Sequence, residues 1–196
     1  MSFKYLYQQS IFVLRTRYIK KFRGLLRRQL LVAAGMKIAK GCEIPKLHVT
    51  WPHQVKIGKN CILEHDIYFK YDGIWSPDSS IIIEDDVFIG SGCEFNISGR
   101  IQIGKRAMIA SGCKFIDHDH GTKLNMPMNF QPPIIKSIFI GEQCWLGVNV
   151  IVLKGVKVGD GAIIGAGSLL LRDVGVNEIW GGVPAKLIGK RSYNFK

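Results

Sequence analysis

The chain has 196 residues, is 47% hydrophobic and carries a formal net charge of +12, which suits one domain with a core and a short appendage. The first forty residues hold ten Lys or Arg and no acid, so the rest of the chain holds 17 basic and 15 acidic residues and is close to neutral. Because no basic stripe crosses this body, we expect no nucleic-acid partner.

Five cysteines are spread along the chain without a Cys-x-x-Cys pair, which argues against a disulfide framework and a cysteine-based zinc site. They are Cys42, Cys61, Cys93, Cys113 and Cys144. We interpret them as small apolar core residues in a reducing compartment, which predicts a cytoplasmic protein. No secretory signal is visible, and no apolar run approaches the roughly 20 residues of a membrane span.

Residues 1–37 form a basic segment in which the pattern predicts an amphipathic helix over residues 3–34. Its apolar residues recur at steps of three or four, and basic residues fall largely on the other side: Ile11, Leu14, Tyr18, Phe22 and Leu25 against Arg17, Lys20, Lys21 and Arg28. Such a helix is typical of two placements. It lies on an anionic membrane surface, here through residues 1–35 on the inner face of the cell membrane, or it packs across an exposed sheet end.

The rest of the chain is organised by a six-residue period. Branched aliphatic residues recur at Ile140, Leu146, Val152, Val158, Ile164 and Leu170, and the same register occurs upstream at Ile57 and Leu63, Ile83 and Ile89, and Ile103 and Ile109. Each cysteine lies four residues after such an aliphatic, in one shared phase. Three short strands with turns make a triangular coil of about 18 residues, stacked about 4.8 Å apart. We therefore predict a mainly β domain over residues 38–188, followed by a tail over 189–196.

Two interruptions break the period. The first, "KYDGIWSPDSS" at residues 70–80, contains Trp75; the larger one covers residues 117–137 and contains "NMPMNFQPP". The larger loop begins with Asp117, His118, Asp119 and His120 in "FIDHDHGT". Long loops in a compact repeat are usually functional or disordered, so we expect this protruding loop to carry the chemistry.

The [LIV]-G-x4 pattern, strongest in "IFIGEQCWLGVNVIVLKGVKVGDGAIIGAGSLLLRDVGVNEIWGGVPAKLIG", resembles the hexapeptide-repeat acyltransferases, in particular the galactoside, maltose and colanic-acid O-acetyltransferase branch. The resemblance implies a left-handed parallel β-helix, acetyl-CoA as co-substrate and a sugar or glycan acceptor. It also implies a homotrimer whose sites lie between subunits. The chain's five histidines lack the spacing of the zinc-binding γ-class carbonic anhydrases, so we expect no metal.

The resemblance also implies which residues react. In the family, a histidine at the loop removes the proton from the acceptor hydroxyl, a task that suits a side chain with an ordinary pKa of about 6.5. Counting forward from Ala110 without gaps favours His120 as this base, with His118 as the alternative. Asp117 and Asp119 are both candidates to fix the tautomer of the ring.

The remaining site residues follow from the same resemblance. For the cofactor, the matching positions are Trp145, Val148, Ala166, Arg172, Lys186 and Lys190. For the acceptor, Glu64 falls where the galactoside branch has a sugar-contacting Asn, and its neighbours complete the candidates: Glu64, His65, Asp66 and Trp75. The basic members suit the anionic phosphates of CoA, and the change at Glu64 leaves the sugar unspecified.

The sequence thus predicts an acetyl-CoA-dependent O-acetyltransferase that modifies a sugar hydroxyl in surface polysaccharide or lipopolysaccharide biosynthesis. Two alternatives stay open. The first is an N-acyltransferase that acts on an amino sugar. The second is a β-helix without catalytic activity that uses its basic helix as a membrane or partner module.

Overall fold

The computed structural model of the protein describes residues 3–192, apart from the side chains of Thr16 and Arg17. Residues 1–2 of the predicted helical segment and 193–196 of the predicted tail lie outside the described residues. The helix predicted over residues 3–34 is present. It consists of α1 (Phe3–Val13), a π-helical stretch (Leu14–Ile19) and α2 (Lys20–Ala33). Within residues 3–192, neither helix is long and apolar enough to cross a bilayer.

The body is a prism with three faces, each a sheet of short parallel strands. The first face contains Lys37–Ile38, Val55–Ile57, Ile81–Ile83, Ile101–Ile103, Ile138–Ile140 and Lys157–Val158. The second contains Ile62–Leu63, Phe88–Ile89, Met108–Ile109, Trp145–Leu146, Ile163–Ile164, Glu178–Gly182 and the antiparallel Ala185–Lys190. The third contains Leu47–Val49, Ile67–Tyr71, Glu94–Ile97, Lys114–Ile116, Ile151–Leu153 and Leu169–Leu170.

The core is one apolar column along the prism axis, as the six-residue period predicts. On the third face, the stacked inward residues are Phe69, Phe95 and Phe115, whose ring centroids are 5.0 and 4.8 Å apart. The aliphatic residues that lead each hexad, such as Ile83 and Ile140, are also fully buried. Four cysteines are buried and Cys42 is half-buried, which confirms that they fill the core.

Two edges of the prism matter for the site. The second edge joins the second and third faces through residues 64–66, 90–93, 110–113, 147–150 and 165–168. The third edge joins the third and first faces through residues 72–80, 98–100, 117–137, 154–156 and 171–173. Both interruptions of the six-residue period therefore leave the prism at the third edge.

Helix α2 crosses the first coil through a few close contacts. The Arg28 guanidinium donates to the carbonyl oxygen of Ile38 at 2.9 Å, and Leu31 packs against the core. Gly24 lies so close that an added Cβ would be 3.4 Å from the Ile44 carbonyl oxygen. The predicted apolar row from Ile11 to Leu25 does not pack on the prism, because its members are between 37% and 69% exposed. The π-helical stretch shifts the helical phase within this row.

Candidate active site

The large loop leaves the third edge as a short antiparallel ribbon. Its two strands are His118–Asp119 and Ile134–Ile135, with His118 opposite Ile135. At the base of the ribbon, the backbone N–H of Lys136 donates to the carbonyl oxygen of Asp117 at 2.8 Å. The ribbon therefore returns the chain to the prism and fixes the start of the "DHDH" stretch.

Asp117 anchors this start to the preceding coil. The side chain is fully buried, and its two carboxylate oxygens accept the backbone N–H groups of Ser98 at 2.8 Å and Gly99 at 2.7 Å. Gly99 has to be glycine for this approach, because an added Cβ would lie 2.6 Å from a side-chain carbon of Ile135. The two hydrogen bonds satisfy the buried carboxylate and fix where the next residue begins.

His118 lies directly against this carboxylate. Its Nδ1 atom is 3.0 Å from Oδ1 of Asp117 and 3.2 Å from Oγ of Ser98, and its side chain is 19% exposed. An ionised carboxylate only accepts hydrogen bonds, so this contact requires the imidazole proton on Nδ1. The lone pair of neutral His118 is then on Nε2.

The next two residues have different surroundings. Asp119 forms an ion pair with Lys154 of the following coil. The His120 side chain is exposed, and no hydrogen-bond partner of its ring occurs among residues 3–192. Of the two carboxylates that the sequence left open, Asp117 contacts a histidine ring, which is that of His118, and Asp119 contacts Lys154.

The tip of the loop is organised by Gln131. This side chain is 8% exposed; its oxygen accepts the backbone N–H of Lys123, and its nitrogen donates to the carbonyl oxygens of Lys123 and Met126. Around this ordered turn, large apolar side chains remain on the surface: Leu124, Met126, Met128, Phe130, Ile134 and Ile135. The loop is thus a structured arm with an apolar surface.

Five of the predicted cofactor and acceptor residues lie along the second edge. Val148 and Ala166 occupy successive coils there, and the N–H of Gly167 donates to the Val148 carbonyl oxygen at 2.8 Å. At the start of this edge, Glu64 accepts the backbone N–H of Ser91 at 2.8 Å. His65 and Asp66 follow, and the hydrogen bond from His65 lowers the pKa of the Asp66 carboxyl, helped by the charge of Lys46.

The other predicted residues are elsewhere on the prism. Trp145 points outward from the second face and is half exposed. Lys186 and Lys190 lie on the last strand, where Lys190 is 4.0 Å from Glu178. Arg172 and Trp75 both lie on the third edge, on opposite sides of the loop along the axis. The four predicted acceptor residues are therefore not brought together within one chain.

The histidines and the second edge lie on opposite sides of the third face of one chain. Ser111 and Gly112 form the turn of the second edge, and four residues lead from Cys113 to Asp117 on the third edge, which is roughly 13 Å at about 3.3 Å per residue. Reacting atoms have to approach to about 3–3.5 Å. A group in contact with the second edge is therefore separated from the histidines of the same chain by the width of the third face.

Three residues of the site were missed from sequence. Ser98 and Lys154 contact the "DHDH" stretch from the coils before and after it, and Gln131 orders the arm. The strand register contains the missing signal, because Phe95 lies opposite Phe115 and so places Ser98 beside the start of the loop. Gln131 has no comparable signal in the sequence.

Among residues 3–192, no group of three or more His, Cys, Asp or Glu side chains is arranged to hold a metal ion.

Two families of hexapeptide-repeat proteins match this chain. The bacterial transferase hexapeptide (six repeats) matches residues 137–172, and the hexapeptide repeat of succinyl-transferase matches residues 80–113. A relative named lipopolysaccharide biosynthesis O-acetyl transferase WbbJ, from Escherichia coli K12, is 33% identical over 124 residues, or 59% of this chain and 63% of the relative. One named colanic acid biosynthesis acetyltransferase WcaF, from the same strain, is 30% identical over 136 residues, or 69% of each chain.

Solved structures agree with the architecture. The hexapeptide-repeat acetyltransferase VCA0836 from Vibrio cholerae has a TM-score of 0.62 at 21% identity and covers 85% of this chain and 80% of its own. AntD from Bacillus cereus, an N-acyltransferase solved with dTDP and 3-hydroxybutyryl-CoA, has a TM-score of 0.71 at 17% identity and covers 84% and 88%. At these identities the likeness concerns the fold, and it confirms the predicted left-handed β-helix with N-terminal helices.

Proposed function

The chain belongs to the hexapeptide-repeat acetyltransferases, and from this membership we propose that it transfers an acetyl group from acetyl-CoA to a sugar hydroxyl. Relatives with 30–33% identity are named for lipopolysaccharide and colanic acid biosynthesis, which supports an acceptor in surface polysaccharide or lipopolysaccharide assembly. VCA0836 has been solved with acetyl-CoA, which supports this co-substrate. The observation that carries the proposal is the pair of histidines at the base of the arm, where His118 contacts the buried Asp117 and His120 is exposed.

In the proposed mechanism, His120 is the general base. Its ring is exposed and free of partners among the described residues, as a base that meets an incoming hydroxyl has to be. The ring takes the proton of the acceptor hydroxyl, and the oxygen forms a bond to the acetyl carbon as the carbon–sulfur bond breaks. The imidazolium then returns the proton to the departing thiolate. No acyl-enzyme forms.

The second candidate base is His118, and one contact favours it: Asp117 holds its Nδ1 atom and leaves Nε2 as an acceptor. We assign His118 a positioning role instead, because its ring is 19% exposed and its Nδ1 atom lies between Asp117 and Ser98. In this role it fixes the strand that presents His120.

We propose that the complete site is shared between subunits of a homotrimer. The roughly 13 Å between the second and third edges of one chain supports this, as does the exposed apolar surface of the arm. Each arm then packs near the second edge of a neighbouring copy. Val148 of that edge lies at the thioester end of acetyl-CoA, and Ala166 and Trp145 lie beside its pantetheine arm.

The remaining predicted residues complete the two substrate sites. Arg172, Lys186 and Lys190 supply cations for the phosphates of CoA. Lys190 is already 4.0 Å from Glu178, so Arg172 and Lys186 carry most of this role. Glu64, His65 and Asp66 contact the acceptor from the second edge, and Trp75 contacts it from the third edge of the adjacent copy.

We also propose that the N-terminal helix contacts an anionic membrane. The apolar row from Ile11 to Leu25 is exposed, and the first forty residues contain ten cations and no acid. Each Lys or Arg near an anionic surface adds about 1 kcal/mol. Co-sedimentation with phosphatidylglycerol vesicles, with and without residues 1–35, tests this part, and equal sedimentation of the two forms would contradict it.

Release of free thiol from acetyl-CoA in the presence of a panel of sugars and sugar nucleotides tests the main proposal. We expect release that depends on an acceptor, and an ester in the product. An amide product would instead support the alternative of an N-acyltransferase. The predicted acceptor residues do not distinguish a hydroxyl acceptor from an amine. No release with any acceptor would favour the alternative of a non-catalytic module.

A further inference from the structure

A groove of about 960 Å³ separates α2 from the start of the prism. Its helical wall consists of Lys20, Lys21, Gly24, Leu25, Arg27 and Arg28. Its opposite wall is formed by turns and strands of the first two coils; Ile44, Ile62 and Leu63 belong to it, together with Glu43, Lys46 and Glu64. The volume lies in the range typical of sites for small ligands. The groove contains neither His118 nor His120, so it is separate from the base of the arm.

The helical wall of the groove is positively charged. Lys20, Lys21 and Arg27 have no carboxylate within 4.0 Å among the described residues. Arg28, in contrast, is held at the back by the carbonyl oxygen of Ile38. Three cations without counter-ions beside a concave surface attract an anion, and phosphate suits them because it accepts several charge-assisted hydrogen bonds.

The floor of the groove is apolar. Ile62 lines it and is 63% exposed, buried Ile44 and Leu63 extend the same surface, and Leu25 of the helical wall faces solvent beside it at 62% exposure. An inorganic anion would leave these side chains in water, whereas a hydrocarbon chain attached to the phosphate would cover them. Cations next to an apolar floor therefore fit one chemical class, a lipid that bears a phosphate.

The position of the groove suggests what such a lipid carries. Arg28 of α2 contacts Ile38, and Gly24 lies against Ile44, so the start of α2 at Lys20 and Lys21 approaches the second edge. Glu64 and His65 of that edge also line the groove. A phosphate held by the two lysines therefore has its further substituent beside the second edge.

From this arrangement, we propose that the groove between α2 and the first coils binds the phosphate and the adjoining hydrocarbon of a lipid-linked sugar phosphate, and so delivers the acceptor sugar to the second edge. The inference rests on the proposed function in one respect: the sugar is an acceptor only if the protein transfers an acetyl group. The binding itself does not depend on it, because it requires neither acetyl-CoA nor a histidine of the arm.

Calorimetric titration with farnesyl phosphate below its micellar concentration, at 150 mM salt, tests the binding. Inorganic phosphate and the uncharged dodecyl maltoside are the comparison ligands. We expect farnesyl phosphate to bind and both comparison ligands to bind at least about tenfold more weakly, since each lacks one of the two contacts. Absence of farnesyl phosphate binding, or equal binding of either comparison ligand, would overturn the proposal.

Matched variants locate the binding. The K20Q/K21Q/R27Q variant removes the three cations of the groove, and R15Q/R23Q/K37Q removes three cations of the same segment that do not line it. We expect about tenfold or greater weakening in the first and less than about twofold in the second. Equal weakening would point to the general charge of the helix and contradict a specific site.

Protection of a thiol gives a readout in the unaltered protein. Cys42 lines the groove and is half-buried, so bound farnesyl phosphate should slow its alkylation by N-ethylmaleimide several-fold, while inorganic phosphate should not. Unchanged alkylation at a saturating ligand concentration would overturn the proposal.

The experiments distinguish this proposal from the proposed function. Acetyl transfer to soluble sugars without farnesyl phosphate binding would refute only the proposed lipid site in the groove. Binding without any acetyl transfer would refute the proposed function alone.

Discussion

The Nδ1 atom of His118 lies 3.0 Å from Oδ1 of Asp117, and the same carboxylate accepts two backbone N–H groups of the preceding coil. One buried side chain thus joins the packing of the prism to the position of the histidines. Asp117 is therefore both the first residue of the loop that carries the histidines and a buried part of the repeat that forms the fold.

Replacing Asp117 by Ala should destabilise the protein as well as lower its activity. The N–H groups of Ser98 and Gly99 would lose their acceptor inside the protein, at a cost of about 1–3 kcal/mol each. We expect the free energy of unfolding in urea to fall by about 2–6 kcal/mol. The control is Asp173→Ala, because this exposed side chain on the same edge accepts one N–H, from Lys157 at 2.8 Å. Equal effects of the two substitutions would contradict the anchoring role of Asp117.

The two histidines should respond differently to substitution. His120→Ala should lower kcat by about 10²–10⁴-fold, and His120→Gln should not restore it, because an amide does not take up the proton. His118→Ala should cost less, and His118→Asn should recover activity, because its amide N–H can still donate to Asp117. The opposite pattern, with His118 beyond rescue and His120 dispensable, would assign the base to His118.

The order of the arm should depend on Gln131. In Gln131→Ala the three hydrogen bonds of this half-enclosed turn are lost, each worth about 1 kcal/mol. We therefore expect trypsin to cleave after Lys123 about tenfold faster or more. Asn129→Ala is the matched control, because Asn129 is exposed on the same arm and has no hydrogen-bond partner among the described residues. A similar cleavage rate for both variants would show that Gln131 does not hold the turn.

The thiol of Cys42 should react at a lower pH than an ordinary cysteine. The neighbouring Cys61 thiol lowers the pKa of Cys42 to about 7, against a smaller opposing effect of burial, and the pKa of Cys61 is raised in turn. Alkylation by N-ethylmaleimide should therefore rise through pH 7 and level off near pH 8, since the thiolate is the reactive form. A rate that keeps rising beyond pH 8, as for an ordinary thiol with a pKa of about 8.5, would contradict this environment. Cys42→Ser identifies the reacting residue.

Much of the fold could be predicted because the repeat leaves little freedom. A six-residue spacing of buried aliphatics such as Ile140 and Leu146 suits short strands separated by turns, and the shared phase of the cysteines supports the same register. The helix over residues 3–33 was equally clear, but the exposure of its apolar row was not. That row passes through a π-helical stretch, and the step of three or four residues assumes an uninterrupted α-helix.

The site could be predicted only in part. The interruption of the period pointed to Asp117, His118 and His120 as candidates. It did not indicate which aspartate contacts a histidine ring. The structure was needed for this, because Asp119 forms an ion pair with Lys154 while Asp117 is buried beside His118. Nor does a linear pattern indicate that Trp75 and Glu64 lie on different edges, since Trp75 lies in an interruption of the period and Glu64 lies in a regular coil. The edge on which a residue lies depends on how many residues each interruption adds to its coil.

The central claim is that the histidines of one copy work with the second edge of another, and co-expression of two inactive variants tests it most directly. His120→Ala removes the proposed base, and Val148→Trp blocks the second edge. In mixed trimers, half of the bases and half of the edges are intact and pair at random, so about a quarter of wild-type activity should return. Failure of the purified mixture to regain activity, with both variants folded, would contradict a shared site.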